Sequence, residues 1–159
     1  MKVLDKVKPD DSPKRLPPPN QATARNHVQQ LVKSLKVQGE RNLRESKVIA
    51  NIDGTHLHSV HDLSPCVTRS RGMAGGHWIV ARGRRFTCRE LERLFGFHCS
   101  PPCGGSAANI VQPDSVPDRH WGAMLGNTIP VPLIGRALAK ALPAAGLTNH
   151  AMRDVWATA

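Results

Sequence analysis

Ala24, Val28, Leu31, Val32 and Leu35 recur at the three- and four-residue spacing of one helix face. Asn20 is placed to cap that helix and Gly39 to end it, so the pattern predicts an amphipathic helix over 21–37. Val48-Ile49-Ala50-Asn51-Ile52-Asp53 is a short β-prone run stopped by Gly54 and predicts a strand. A polar, His-bearing loop is expected from there to about residue 64, then a short extended piece at Cys66-Val67-Thr68. After the flexible Gly72, Gly75 and Gly76, His77-Trp78-Ile79-Val80 predicts a second strand, ending before Gly83.

The next helix carries stronger signals. Thr87 and Glu90 have the spacing of a capping box, Leu91, Leu94 and Phe95 give an apolar face, and Gly96 is placed as a left-handed stop. These residues predict a helix near 88–95. Residues 98–120 are rich in Pro and Gly and are expected to form a long loop. Pro132 suits a first helical position. Leu133, Ile134, Ala137, Leu138, Ala141 and Leu142 then share one side, with Pro143 as the expected stop, which predicts a helix over 132–142. There is no internal repeat.

A chain of 159 residues is long enough for one domain and its core. Three Phe, three Trp and no Tyr leave the core to Leu, Val, Ile and Ala. The 22 basic residues outnumber the 12 acidic ones, and the net charge of +10 favours polyanionic partners. Arg69, Arg71, Arg82, Arg84, Arg85, Arg89 and Arg93 are opposed only by Glu90 and Glu92 within their own stretch. Guanidinium groups offer planar, multi-donor contacts to phosphate and base edges. The N-terminal Met1-Lys2-Val3-Leu4-Asp5-Lys6 has no apolar run behind it, and no stretch reaches transmembrane length. An intracellular, reducing setting is therefore expected, with no disulfide framework and no membrane partner. In a eukaryote the expectation is the nucleus.

Two segments, in this order, resemble the last two motifs of DNA cytosine-5 methyltransferases. The first is Arg85, Phe86, Thr87, Arg89, Glu90, Arg93, Leu94, Gly96 and Phe97; Phe95 stands where the family has Gln, and His98 where it has Pro. The second is Leu125-Gly126-Asn127-Thr128-Ile129-Pro130-Val131-Pro132. Upstream, Ser64-Pro65-Cys66-Val67-Thr68-Arg69-Ser70-Arg71-Gly72 and Gly75-Gly76-His77-Trp78-Ile79 look like the end of that family's target-recognition region.

The resemblance spans roughly 48–142 and implies an α/β fold: part of a Rossmann-like S-adenosylmethionine-dependent methyltransferase with the end of a small, mainly β recognition region. It divides the chain into a flexible lead-in (1–20), an amphipathic helix and linker (21–47), the end of the recognition region (48–83), the C-terminal methyltransferase motifs (84–142) and a tail (143–159). It implies S-adenosyl-L-methionine as cofactor, with Asn127 and Ile129 as its contacts. It also implies DNA as partner, with Arg69, Ser70, Arg71, Arg85 and Arg89 as contact candidates. The bracing role of the first motif is mainly structural.

The family's chemistry needs a Cys thiolate in Pro-Cys-Gln that adds to the cytosine ring. Pro65-Cys66 is followed by Val67 and Pro102-Cys103 by Gly104, and neither stands in the right order. The Glu-Asn-Val segment and the Gly-rich cofactor loop are also absent. No catalytic residue is assigned, and the chain is expected to be inactive alone. The missing N-terminal catalytic half would lie on the same or a separate polypeptide.

Three rivals stand beside this reading. One is a non-enzymatic, Arg-rich nucleic-acid-binding module; another is a subunit complementing a second polypeptide. The third is a zinc site from His56, His58 and His61 with Cys66, or from His98, Cys99 and Cys103. The His-x-His-x-x-His spacing is not a standard finger spacing, and no metal is assigned. No Ser, His and acid set has the local setting of a hydrolase.

Overall fold

Val48–Asn51 (β1) is the hub of the fold. In the computed structural model, which describes residues 3–97 and 110–148, β1 pairs antiparallel with His58–His61 (β2) on one side and Trp78–Ile79 (β3) on the other. Arg84–Arg85 (β4) pairs antiparallel with β3 and completes a four-stranded sheet of order β2-β1-β3-β4. The helices are Ala22–Val37 (α1), Arg69–Met73 (α2), Cys88–Leu94 (α3), Asp118–Gly126 (α4) and Val131–Ala144 (α5). The chain is thus a mixed helix-and-sheet protein. Its sheet is antiparallel throughout the described residues.

Alternation along the strands decides what packs where. Val48, Ala50, Ile52, Trp78 and Val80 join Ala24, Val28, Leu31 and Leu35 of α1 in one buried cluster. Ile79 and the partly buried Ile49 join a second, with Val67, Phe86, Leu91, Phe95, Trp121 and Leu125. The sheet therefore separates α1 from the α3–α4 layer. His27 ties α1 to the end of β1, its Nδ1–H donating to the Ile52 carbonyl at 2.9 Å.

The helix limits follow local chemistry. The capping box forms as predicted: Thr87 Oγ1 accepts from Glu90 N–H, and the Glu90 carboxylate accepts from Thr87 N–H. Gly96 adopts φ 86°, and Phe97 N–H donates back to the Glu92 carbonyl at 2.9 Å, which closes α3. Gly39, at φ 91°, ends α1 in the same way. Gln21 rather than Asn20 takes the N-cap position of α1, and no side chain bonds there.

Several elements differ from the expectations. The His-bearing loop contains β2, a polar edge strand in register Val48↔His61 and Asn51↔His58. Arg69–Met73, for which no helix was expected, forms the short helix α2. Part of the 98–120 loop is helical, because α4 begins at Asp118. Pro143 lies inside α5, close enough to its end that only a last-turn hydrogen bond is lost, and Gly146 at φ 70° follows as the stop.

Three glycines let α2 and α4 approach closely. A Cβ on Gly122 would sit 2.2 Å from the Gly72 carbonyl oxygen, and one on Gly72 would sit 1.9 Å from the Gly122 oxygen. A Cβ on Gly126 would lie 2.4 Å from the Thr68 oxygen. Helices α2 and α4 therefore cross antiparallel with their backbones in contact, which larger residues would forbid.

The lead-in, expected to be flexible, is instead pinned along residues 3–17. It has no helix or strand, but Asp11 and Pro17 are buried. Arg93 donates to the Val3 carbonyl at 2.7 Å, and Arg25 to the Pro17 carbonyl at 2.6 Å. Ser12 N–H donates to the Arg82 carbonyl at 2.9 Å. The composition of the segment suggested a flexible or extended lead-in; its partners include Arg25 nearby and Arg82 and Arg93 far along the chain.

Candidate nucleic-acid and cofactor interface

Of the seven arginines between Arg69 and Arg93, five are tied into internal contacts. Glu90 is fully buried and receives Arg84 in a bidentate pair at 2.8 and 3.0 Å. Arg84 Nε also reaches Asp11 at 2.9 Å. Arg93 pairs with Asp5 at 2.5 Å, and Arg82 donates to the Asp5 carbonyl at 3.3 Å. Burial raises the Glu90 pKa, but Arg84 and the Thr87 and Asp5 amides outweigh it, and the carboxyl stays below its ordinary range. Asp5 and Asp11 follow the same balance, with burial opposed at Asp5 by Arg93 and at Asp11 by the Lys8 amide and then Arg84. Glu90 in turn raises the Arg84 pKa further.

Asp53 gathers two of the predicted DNA contacts. Arg85 meets it bidentately at 2.5 and 2.6 Å, and Arg71 at 3.0 Å. Arg85 also donates to the Gly76 carbonyl at 3.1 Å. Burial pushes the Asp53 carboxyl up, yet the two guanidinium groups hold it below the usual value. Arg71 and Arg85 thus brace the end of β1 against β4 and α2. The Arg-rich run seen in the sequence is largely neutralised within the fold, because Asp5, Asp11 and Asp53 join Glu90 of the run itself as acidic partners.

Arg69, Ser70 and Arg89 stand differently. All three are exposed, and neither Arg69 nor Arg89 has an ion pair among the described residues. Arg69 and Ser70 open α2, where the Ser70 hydroxyl lies 3.2 Å from Thr68 Oγ1. Arg89 lines a groove of about 690 Å³ between α3 and the segment Ile110–Asp118.

The two cofactor candidates follow Gly126, the residue that packs against α2. Gly126 ends α4 against Thr68 and the Arg69 Cα. Asn127 is the exposed C-cap residue that follows, and Ile129 is 55% exposed. Thr128 Oγ1 donates to the Leu125 carbonyl at 2.6 Å and fixes the turn. Gly126 serves the α2–α4 crossing, not merely a flexible Gly-Asn turn. An exposed amide and an exposed aliphatic side chain suit one wall of a nucleoside site. Neither lines the large groove or the apolar one of about 460 Å³ beside β1.

The segment after the turn joins α3 directly. Val131 N–H donates to the Phe95 carbonyl at 2.8 Å, and a Cβ on Gly96 would sit 2.5 Å from Pro132 Cδ. From there α5 leaves the body with no buried residue. Leu133, Ile134 and Leu138 are 60%, 39% and 44% exposed.

Sequence reasoning gave no role to three polar groups. His77 is buried, its Nε2–H donating to the Cys66 carbonyl at 3.2 Å, and burial lowers its pKa, which keeps it neutral near pH 7. Glu92 is buried and accepts from Trp121 Nε1 at 2.7 Å, tying α3 to α4. Burial, then Asp118 and Glu92, pushes the Cys88 thiol up to about 11. Among the described residues no three His, Cys, Asp or Glu side chains gather as a metal site. His98, Cys99 and Cys103 lie outside the described residues. No helix among the described residues is long and apolar enough to cross a membrane.

Comparison of the chain with known protein families, curated proteins and solved structures finds no match.

Proposed function

We propose that this chain is the C-terminal part of a DNA cytosine-5 methyltransferase, which transfers a methyl group from S-adenosylmethionine to cytosine. One observation carries the reading: the three segments that bear the resemblance pack into a single body. The recognition-like segment supplies α2, which crosses α4 at Gly72 and Gly122. The first motif is α3, with its capping box and Gly96 stop. The second motif ends α4, binds the end of α3 through Val131, and starts α5. Segments of one functional unit are expected to touch in this way.

The uncovered side of α5 supports the same reading. Leaving a Leu or Ile in water forgoes about 1.5–3 kcal/mol relative to full burial. A helix with three such side chains suits a chain that completes a larger Rossmann-like domain. In that assembly Asn127 and Ile129 would hold the cofactor, and Arg69, Ser70 and Arg89 would meet DNA. Arg71 and Arg85 would act as braces. The cofactor would supply the methyl group; the attacking thiolate would come from the missing half.

The test is methyl transfer to duplex DNA by the native assembly, using labelled S-adenosylmethionine. Label on cytosine, lost when this chain is depleted and restored when it is returned, is the expected result. An assembly that contains the chain and transfers no methyl group overturns the reading. A non-enzymatic DNA module would instead bind duplex DNA without responding to the cofactor.

A further inference from the structure

Helix α1 contains no Asp or Glu in its 16 residues. Solvated helix faces ordinarily mix both signs, because (i, i+4) pairs of opposite charge stabilise them. Here the inner side is spent on the core through Ala24, Val28, Leu31 and Leu35. The outer side shows Asn26, Gln29, Gln30, Lys33 and Lys36, all exposed. The surface continues past the helix. Gly39 turns the chain, Leu43 packs back on the α1 cluster, and Arg41 and Arg44 are left exposed on either side of it.

Two acids, Glu40 and Glu45, lie in that turn beside Arg41 and Arg44. Glu45 accepts from the Asn42 amide at 2.6 Å, and no ion pair joins Lys33, Lys36, Arg41 or Arg44 to a carboxylate among the described residues. The Arg69–Arg93 run behaves in the opposite way, with most of its guanidinium groups consumed internally.

We propose that the outer face of α1 and the turn after it form a second DNA surface that grips the phosphate backbone of a duplex. The four cations supply charge. The Asn and Gln amides supply neutral donors, the side-chain types that bond phosphate oxygens without reading sequence. No acid lies on the helix itself, and the four cations outnumber Glu40 and Glu45 of the turn. The surface lies on the α1 side of the sheet, whereas Arg69 and Asn127 belong to the α2–α4 layer packed on the other side. This inference takes its DNA partner from the proposed function but needs neither cofactor nor catalytic half.

The test is fluorescence anisotropy of a 20-base-pair duplex titrated with the full chain at several KCl concentrations. The variant Lys33→Gln/Lys36→Gln/Arg41→Gln/Arg44→Gln is compared with wild type and with Arg69→Gln/Arg89→Gln. All of these side chains are exposed, so unchanged circular dichroism is expected. Each phosphate contact contributes about 0.9 to the slope of log K against log salt, so the quadruple variant loses about 3 to 4 units and binds at least tenfold more weakly at low salt. The single reversal Arg44→Glu weakens binding in the same direction.

A quadruple variant with wild-type slope and affinity overturns the inference. If the slope falls only in Arg69→Gln/Arg89→Gln, the second surface is refuted while the proposed function stands. If only anionic vesicles, not the duplex, respond to the quadruple variant, the surface is a membrane contact and the inference fails. Binding through α1 without any methyl transfer by the native assembly keeps the inference and sinks the enzyme reading.

Discussion

Replacing Glu90 with Gln removes one negative charge from the interior and keeps the shape of the side chain. Each carboxylate oxygen of Glu90 accepts two hydrogen bonds: Oε1 from Arg84 Nη2 and Asp5 N, Oε2 from Arg84 Nη1 and Thr87 N. A Gln has one acceptor oxygen, so its amide nitrogen must face two of these donors. Arg84 is then left in the interior without its main counter-charge. Removing one partner of a buried pair costs about 3–5 kcal/mol. Asp11 still holds Arg84 Nε at 2.9 Å, which places the expected loss near the lower end, about 3 kcal/mol. The assay is urea unfolding followed by circular dichroism and by Trp fluorescence. With a slope of about 1–2 kcal/mol/M, the midpoint falls by about 1.5–3 M. A loss below about 0.5 kcal/mol, the level of ordinary surface substitutions, would refute the claim that this ion pair anchors the lead-in and α3.

Acid unfolding tests the same network as a group. The folded pKa values of Asp5, Asp11, Asp53 and Glu90 are all depressed, so their contribution is fully present above about pH 4–5 and is lost as pH falls through the folded values; stability that stays flat from pH 5 to pH 2 would contradict it. Gly122→Ala forces a Cβ to 2.2 Å from the Gly72 oxygen and should cost at least about 1–3 kcal/mol in the same urea assay, with an unchanged midpoint counting against the close helix crossing. In the proposed assembly Arg69→Ala should weaken DNA binding at constant stability, while Arg71→Ala should also lower the melting temperature because it strips Asp53 of a partner. Asn127→Ala should raise the cofactor's apparent dissociation constant without unfolding the chain; an unchanged constant would remove its assigned role.

Elements with local causes were legible in the sequence. The α1 stripe, the Thr87–Glu90 box and the Gly96 stop each depend on residues within one or two turns of each other. Elements with distant causes were not. β2 is an edge strand whose outward His58 and His61 need not alternate with apolar residues, so only its pairing with β1 reveals it. For α4, Pro117 at the cap, Asp118 in the first turn and Trp121 with Leu125 four apart were usable signals. They were masked by Gly122 and Gly126, which read as breakers until α2 is known to lie against them.

For the candidate site, the structure adds what the sequence hid: which side chains are spent inside the fold. Arg69, Ser70, Arg89, Asn127 and Ile129 are exposed, and their assignment as contacts rests on the sequence resemblance. Arg71 and Arg85 are indistinguishable from them in sequence, because Asp53 lies far upstream and meets them only in the fold. The charge count identified an excess of cations but not its location. Internal pairing consumes much of the 69–93 run, and the acid-free face of α1 becomes visible only when the helix is packed.

The most direct measurement is the intact mass of the native protein together with the identity of every chain that co-purifies with it in stoichiometric amount. The account predicts a polypeptide, or a tightly bound partner, carrying a Pro-Cys-Gln segment and a Gly-rich cofactor loop that cover α5. A lone chain of 17.3 kDa with no stoichiometric partner would contradict it.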